Sequence, residues 1–311
     1  MKNILVTGGA GYIGTTLVPK LVHKGYNVTV LDSFLFNQQV FSSLFKYDNL
    51  NLIKGDVRDE NLMEKVLKEN DVIIPLAALV GAPMCELDPF STKTVNSGSI
   101  KHIVDNTSME QIIIMPVSNS GYGIGEKDKF CDETSELKPI SLYGKTKVEA
   151  EKLIMQRENS VSLRLATVFG MSERMRTDLL VNNFVYKALY DKSILIFEGH
   201  FKRNFIHIQD VTDALIFSLE NFQNMKNNIF NVGLDSANMS KIELAKFIKK
   251  FLPYFSIIES DIGKDPDKRD YIVSNKKILE KGFLPKYDLE FGVKELIKGL
   301  KFLPRSIVSN V

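Results

Sequence analysis

The chain has 311 residues, 44% hydrophobic and 25% charged, with a formal net charge of +2. This is ordinary globular composition for one large domain or a core with a smaller lobe, and the charge gives no reason to expect nucleic acid or a membrane surface as partner. Two cysteines, Cys85 and Cys131, make no disulfide framework, no apolar run approaches the ~20 residues of a membrane span, and the chain enters its first strand too early for a signal peptide, so the expectation is a cytoplasmic protein with free thiols.

Asn3 to Thr7 reads as a buried strand, and Gly8, Gly9, Gly11 and Gly14 follow it directly. Thr15 to Lys24 then places Leu17, Val18, Leu21 and Val22 at helical spacing. A strand, a glycine turn and a helix start make a dinucleotide site: Gly8 allows the sharp turn, Gly11 lets a pyrophosphate approach the backbone, and Gly14 lets helix and strand pack closely. The phosphates would lie on the helix N-terminus, beside Tyr12 and Ile13. Glycines alone also fit an ordinary βα turn. The second strand, Val28 to Leu31, decides between the two readings, because it ends in Asp32, 18 residues past Gly14 and followed by Ser33. An acid there accepts from the ribose hydroxyls of NAD and repels the 2′-phosphate of NADP. No Lys or Arg between Gly25 and Phe45 offsets it, so the cofactor read from the sequence is NAD.

Asn51 to Lys54 is a third strand, and Gly55-Asp56-Val57 opens a helix through Leu67. Val72 to Leu76 is a fourth, ending in Ala77-Ala78; Pro89 to Thr107 carries a helix; Gln111 to Val117 is a fifth strand, ending in Ser118-Asn119-Ser120. Tyr143 to Arg157 reads as a helix and Ser160 to Ala166 as a strand. This alternation predicts an α/β, Rossmann-type doubly wound parallel sheet with its ligand beyond the C-terminal strand ends. After Gly170 come helices at Thr177–Tyr190, Asp210–Leu219, Ser240–Phe251 and Leu289–Phe302, with strands at Ile194–Phe197, Asn204–His207 and Ile229–Val232. The expected division is an NAD domain over 1–170, with 208–233 interleaved, and a smaller C-terminal α/β substrate lobe over 171–311, frayed from Arg305.

Tyr143 and Lys147 share a helix face at i and i+4. A phenol is a poor base at neutral pH, and a neighbouring ammonium would lower its pKa. The spacing alone is no proof in a chain with ten tyrosines and 32 lysines. Its placement is the argument: it follows Ser118, whose hydroxyl can donate to and accept from a reacting sugar oxygen. The expected catalytic group is therefore Tyr143, Lys147 and Ser118, with no metal.

With these residues the chain resembles the extended short-chain dehydrogenase/reductases that act on nucleotide sugars, the NAD-dependent epimerase/dehydratase family. The resemblance covers nearly the whole chain. It implies that Asp56 and Val57 contact adenine, that Leu76, Ala77 and Ala78 line the cofactor, and that Lys147 also holds the nicotinamide ribose. It further implies that Arg203, in Arg203-Asn204-Phe205-Ile206-His207, and Arg269, in Asp267-Lys268-Arg269-Asp270-Tyr271, meet the diphosphate of the substrate, with Asn182 presenting an amide to the nucleotide. Ser118, Asn119, Ser120 and Thr167 would stand near the sugar.

Departures from the family pattern narrow the reaction. The 4,6-dehydratases carry Asp-Glu where this chain has Asn119-Ser120, the decarboxylases keep the Glu, and the 3,5-epimerising reductases place Cys at Ser120. Oxidation at one carbinol, most simply C4, or 4-epimerisation remains. The family's 4-epimerases usually have Asn at Thr167, which favours release of a 4-keto sugar. By whole-chain impression the resemblance extends to capsule-pathway enzymes that oxidise a GDP-heptose, implying a nucleotide-diphosphate sugar as partner, GDP ahead of UDP or dTDP, and a homodimer or homotetramer. A cofactor-sensing regulator without catalysis is the other reading; retention of both Tyr143 and Lys147 speaks against it.

Overall fold

The computed structural model of the chain describes residues 2–260, 262 and 269–303. Asp267, Lys268 and the tail from Arg305 lie outside the described residues. The first half runs β1 (Asn3–Thr7), α1 (Gly14–His23), β2 (Asn27–Asp32), β3 (Leu50–Lys54), α2 (Glu60–Lys68), β4 (Val72–Pro75), α3 (Ala82–Leu87), α4 (Pro89–Lys93), α5 (Ser99–Asn106), β5 (Ile112–Ser118), β6 (Phe130–Cys131), α6 (Leu142–Ile154) and β7 (Ser160–Leu165). The second half runs β8 (Thr167–Phe169), α7 (Leu180–Tyr190), β9 (Ser193–Phe197), β10 (Lys202–His207), α8 (Ile208–Glu220), α9 (Phe222–Met225), β11 (Asn228–Val232), β12 (Asn238–Ser240), α10 (Lys241–Lys249), β13 (Ser256–Ser260), β14 (Ile272–Val273), α11 (Lys276–Glu280) and α12 (Leu289–Leu300).

Seven strands form one parallel sheet in the order β11-β7-β5-β4-β1-β2-β3. Strand order reverses between β1 and β4, which opens a crevice at their C-terminal ends. Both faces are covered, so the central strands β1, β4 and β5 are largely apolar runs, while the edge strand β3 and the strand β7 carry polar residues among the apolar ones. Along β1, Ile4 and Val6 join one buried cluster, while Leu5 joins another beneath Met63, Val66, Leu67, Ile100 and Ile103 of α2 and α5.

The chain leaves this sheet at Ala166, whose amide still bonds Val232 O (2.9 Å). It then enters a second sheet, β12-β10-β8, in which β8 and β10 are parallel and β10 and β12 antiparallel. That step carries Thr167 away from the core. The strand at 228–232 returns to the main sheet beside β7.

One expected helix is interrupted. Between α4 and α5, Thr94–Gly98 forms a π-helical turn. The buried Asn96 inside it spends its amide on the Leu79 backbone, accepting from N (2.8 Å) and donating to O (2.9 Å). This bulge fixes the segment after β4, and such turns recur near functional sites.

Candidate active site

A cleft of about 800 Å³ opens along the C-terminal ends of the parallel strands. Its cofactor end is built from Gly8, Gly11, Tyr12, Ile13, Gly14, Asp32, Ser33, Asp56, Val57, Leu76, Ala77 and Ala78, all of which line it. Gly8 has φ +66°, and a Cβ there would come within 2.5 Å of Ala77 N, so only glycine lets the first turn lie against the end of β4. A Cβ at Gly14 would meet Gly9 O at 2.2 Å. The close approach at Gly14 is thus to the turn's own backbone, not to the strand as expected. Helix α1 starts with Ile13 as N-cap and no side-chain cap, leaving its first amides open to an anion.

Asp32 is 8% exposed; Oδ2 accepts from Ala10 N (2.9 Å) and Oδ1 from Phe34 N (2.8 Å). Burial pushes its carboxyl up and the two amides hold it back. It ties the glycine turn to β2, a structural task the sequence did not announce. Asp56 pairs with Arg58 (2.6 Å), and that guanidinium holds its carboxyl below the usual range. The groups fit NAD: a turn that admits a pyrophosphate, an uncapped helix end, and a carboxylate at the second strand.

Ser118, Tyr143 and Lys147 line the same cleft, Ser118 at the end of β5 and the other two on α6. Ser141 sets the start of α6 by accepting from Gly144 N (3.2 Å). The Ser118 hydroxyl accepts from Ser120 N (3.1 Å) and shares a hydrogen bond with the Tyr143 phenol. Burial raises the pKa of Tyr143, while the positive charges of Arg176 and Arg269 pull it down. Lys147 is 6% exposed, no carboxylate pairs with it among the described residues, and burial pushes it down to about 8. Among the charges near the phenol, those of Arg176 and Arg269 lower its pKa most, an influence that the spacing of Tyr143 and Lys147 did not announce.

Thr167, Arg203 and Arg269 line the substrate end, joined by Arg174, Arg176, Asn183 and Lys241, which sequence reasoning missed. Arg174 and Arg176 precede the uncapped N-terminus of α7 and Asn183 lies in its first turn, a stretch whose charge pattern gave no periodic signal. Lys241 occupies the first turn of α10, and its ammonium bonds Phe197 O.

Three expected contacts are corrected. Asn182 is fully buried, accepting from Gly170 N (3.1 Å) and donating to Tyr12 Oη (3.2 Å) and Arg176 O (2.9 Å). It sits one residue out of phase with the cleft, which Asn183 lines instead. Asn119 and Ser120 are each 1% exposed and do not line the cleft. They wind into the 3-10 turn Asn119–Tyr122 under α6, behind Ser118.

Behind the site, Arg164 of β7 forks onto Glu151 of α6 (Nη2 to Oε1, 2.7 Å), with both side chains 5% exposed. Glu151 also accepts from Ser162 (2.8 Å), and Arg164 donates to Tyr122 Oη (3.0 Å). This network fixes α6, and with it Tyr143 and Lys147, against the sheet. Among the described residues no helix is long and apolar enough to cross a membrane.

The model of the NAD dependent epimerase/dehydratase family matches residues 4–233. A protein of Methanocaldococcus jannaschii, provisionally named a UDP-glucose 4-epimerase, is 27% identical over 96% of this chain and 98% of its own. The Thermotoga maritima UDP-glucose 4-epimerase, solved with UDP-glucose, superposes with a TM-score of 0.82 at 26% identity, covering 96% of this chain and 98% of that one. The Bacillus cereus UDP-glucuronic acid 4-epimerase, solved with UDP-glucuronic acid and NAD, gives 0.84 at 25% identity over 96% and 99%.

Proposed function

The chain belongs to the NAD-dependent epimerase/dehydratase family, and from that premise we propose that it oxidises C4 of a nucleoside-diphosphate sugar and returns the hydride to the opposite face, as a 4-epimerase. NAD, held by the glycine turn and Asp32, would supply the hydride acceptor at C4. The work of the chain is positioning and proton transfer. Tyr143 takes the O4 proton as the carbinol is oxidised and returns it on reduction. Ser118 already accepts from Ser120 N, so its own proton is free to be given to the reacting oxygen or to the phenol. Lys147 holds the cofactor ribose, and its charge recovers its worth once ligands with negative charge enter the cleft. Arg203, Arg269 and Lys241 take the diphosphate.

The observation that carries the outcome is a strap over the cofactor end. The segment 33–41 reaches across the cleft: the Phe36 ring lies under the Arg174 guanidinium (4.2 Å), and Phe41 N donates to Glu173 Oε2 (3.3 Å). Thr15 and Ser172 join beside it (2.7 Å). Phe34, Asn37 and Phe41 adopt left-handed φ of 53°, 49° and 68°, conformations such residues rarely hold without surrounding support. A strap placed there would slow exchange of the cofactor and favour return of the hydride within the same site. Release of a 4-keto sugar, favoured by Thr167, is the second reading.

Asn119 and Ser120 supply no carboxylate, which supports a reaction without loss of water. Relatives named for UDP-sugars favour UDP over the GDP-heptose and capsule role that the sequence resemblance implied. Exposed Leu87 (76%) and Phe90 (73%), on α3 and α4 beside α6, support a homodimer or homotetramer. Free, buried Cys85 and Cys131 fit a reducing cytoplasm. The test is incubation with UDP-, GDP- and dTDP-sugars and analysis of products by mass and NMR. An isomer of unchanged mass supports epimerisation, a keto product moves the assignment to the second reading, and a product lighter by one water refutes the argument from Asn119 and Ser120.

A further inference from the structure

The amide of Asn182 is fully buried in the first turn of α7, and its partners belong to three different segments. Oδ1 accepts from Gly170 N (3.1 Å), just past β8. Nδ2 donates to Arg176 O (2.9 Å) and to the phenol of Tyr12 (3.2 Å). Tyr12 closes the ring of contacts by donating to Gly170 O (2.7 Å). Its hydroxyl is thus turned inward and spent on protein, and burial pushes its pKa up, so it keeps that proton. The backbone of Tyr12 is held as well: Ser172 Oγ donates to Tyr12 O (2.8 Å) and meets Thr15 Oγ1 (2.7 Å). From behind, Gly170 lies so close to His207 that a Cβ would come within 2.5 Å of Nε2. Glu295 Oε2 pairs with that same Nε2 (3.0 Å) and accepts from Met171 N (2.8 Å).

We infer that Asn182 is a positioning residue for hydride transfer: its one amide holds the cofactor turn, through Tyr12, and the wall of the substrate end, through Arg176 O, at a fixed spacing. This rests on the proposed reading of the cleft, with NAD at one end and a nucleoside-diphosphate sugar at the other. Tyr12 stands between Gly11 and Ile13, beside the open amides of α1 that would receive the pyrophosphate, so a shift of Tyr12 moves the cofactor. Arg176 and Asn183, on either side of Asn182 along the chain, line the substrate end. The nearby Val181 and Val185 of α7 fill the core with no polar atoms. An amide at 182 is therefore not needed to occupy space, and what it adds is direction. Hydride passes only when the reacting atoms stand about 3–3.5 Å apart, and a slip of about 1 Å can cost on the order of 10²-fold. A buried amide bonded to both ends sets that distance while touching neither ligand.

The test is steady-state kinetics on Tyr12→Phe, Asn182→Ala and the double variant, expressed per NAD-loaded molecule, with Tm and NAD affinity measured alongside. The substrate is whichever UDP-, GDP- or dTDP-sugar the wild type turns over, unlabelled and deuterated at C4. Tyr12→Phe removes only a hydroxyl already spent on Gly170 and Asn182, so it should hold NAD and melt near wild type. Its kcat should fall about 10-fold and that of Asn182→Ala about 10²-fold, since misplacement acts on the chemical step. The C4 isotope effect should be no smaller than in wild type, because hydride transfer is the step that slows. The double variant should be no slower than Asn182→Ala, since both changes cut one clamp. Should Asn182→Ala fail to fold, Tyr12→Phe alone decides. A fall in Tm or NAD affinity with kcat per loaded molecule unchanged would leave Asn182 a purely structural role and overturn the inference. Losses that multiply in the double variant would overturn it too. A wild type that turns over no nucleotide sugar overturns the reading of the cleft itself, and the inference falls with it.

Discussion

Replacing Lys147 with methionine should stabilise the protein stripped of NAD while abolishing its function. The ammonium is buried at 6% exposure with no carboxylate partner among the described residues, and its pKa falls from 10.5 to about 8. At 1.36 kcal/mol per pKa unit this is a cost of about 3 kcal/mol to the folded state wherever the lysine is charged. The sign follows from proton counting. Below pH 8 both folded and unfolded chains carry the charge, and the folded one bears the desolvation cost. Between about 8 and 10.5 only the unfolded chain stays protonated, so wild-type stability rises with pH relative to the variant. Above 10.5 the difference is gone. A methionine of similar length keeps the packing without the charge. For a chain of this size ~3 kcal/mol amounts to roughly 5 °C in Tm. The assay is thermal or denaturant unfolding of NAD-free wild type and Lys147→Met from pH 7 to 10.5. The variant should melt higher at pH 7, with the gap closing toward pH 10.5, and saturating NAD should restore the advantage of wild type. A variant no more stable than wild type at pH 7, or a gap that ignores pH, would refute the reasoning. Such a conflict between stability and activity is expected where a site holds an uncompensated charge for its ligand.

Tyr143→Phe should fold and retain NAD but lose ~10²–10⁴-fold in kcat, the usual contribution of a general base; a variant keeping more than about a tenth of the rate would remove Tyr143 from that role. Glu151→Gln leaves Arg164 charged and buried, and should cost about 3–5 kcal/mol in denaturant unfolding; a loss below about 1 kcal/mol would mean the network does not anchor α6. Asp32→Asn offers one acceptor where Ala10 N and Phe34 N now have two, so it should lose about 1–3 kcal/mol of stability. It should also narrow the preference for NAD over NADP, measured by competitive binding; an unchanged preference would assign the discrimination elsewhere.

The sheet was legible because its central strands are largely apolar runs, and even the mixed ones are rich in β-branched and aliphatic residues. Asn3–Thr7 and Ser160–Leu165 fall where the pattern puts them. The cofactor end was equally legible, since its residues fall in short segments at the ends of successive strands, five of the twelve between Gly8 and Gly14. The substrate end was legible only in part: Thr167, Arg203 and Arg269 line it as expected, while Arg174, Arg176, Asn183 and Lys241 gave no signal. Its residues come from distant segments that the second sheet assembles, and Thr167 reaches the cleft only because the chain changes sheets at Ala166. Nothing periodic distinguishes Asn182 from Asn183, and one helical position separates a buried clamp from a cleft residue. Part of the field on Tyr143 escaped the sequence for a related reason. Helical spacing identifies Lys147 as a neighbour, whereas Arg176 and Arg269 arrive through tertiary structure alone. The interrupted helix at Thr94–Gly98 follows from Asn96 binding Leu79, a contact between segments that spacing cannot reveal.

The central claim is that hydride leaves C4 and comes back within one enclosed site. A nucleotide sugar deuterated at C4, incubated with the holoenzyme and no added nicotinamide, tests it most directly. The account predicts the C4 epimer with deuterium retained at C4, unchanged mass and no accumulation of NADH. Loss of the label to solvent, or a product lighter by water or CO₂, would contradict it.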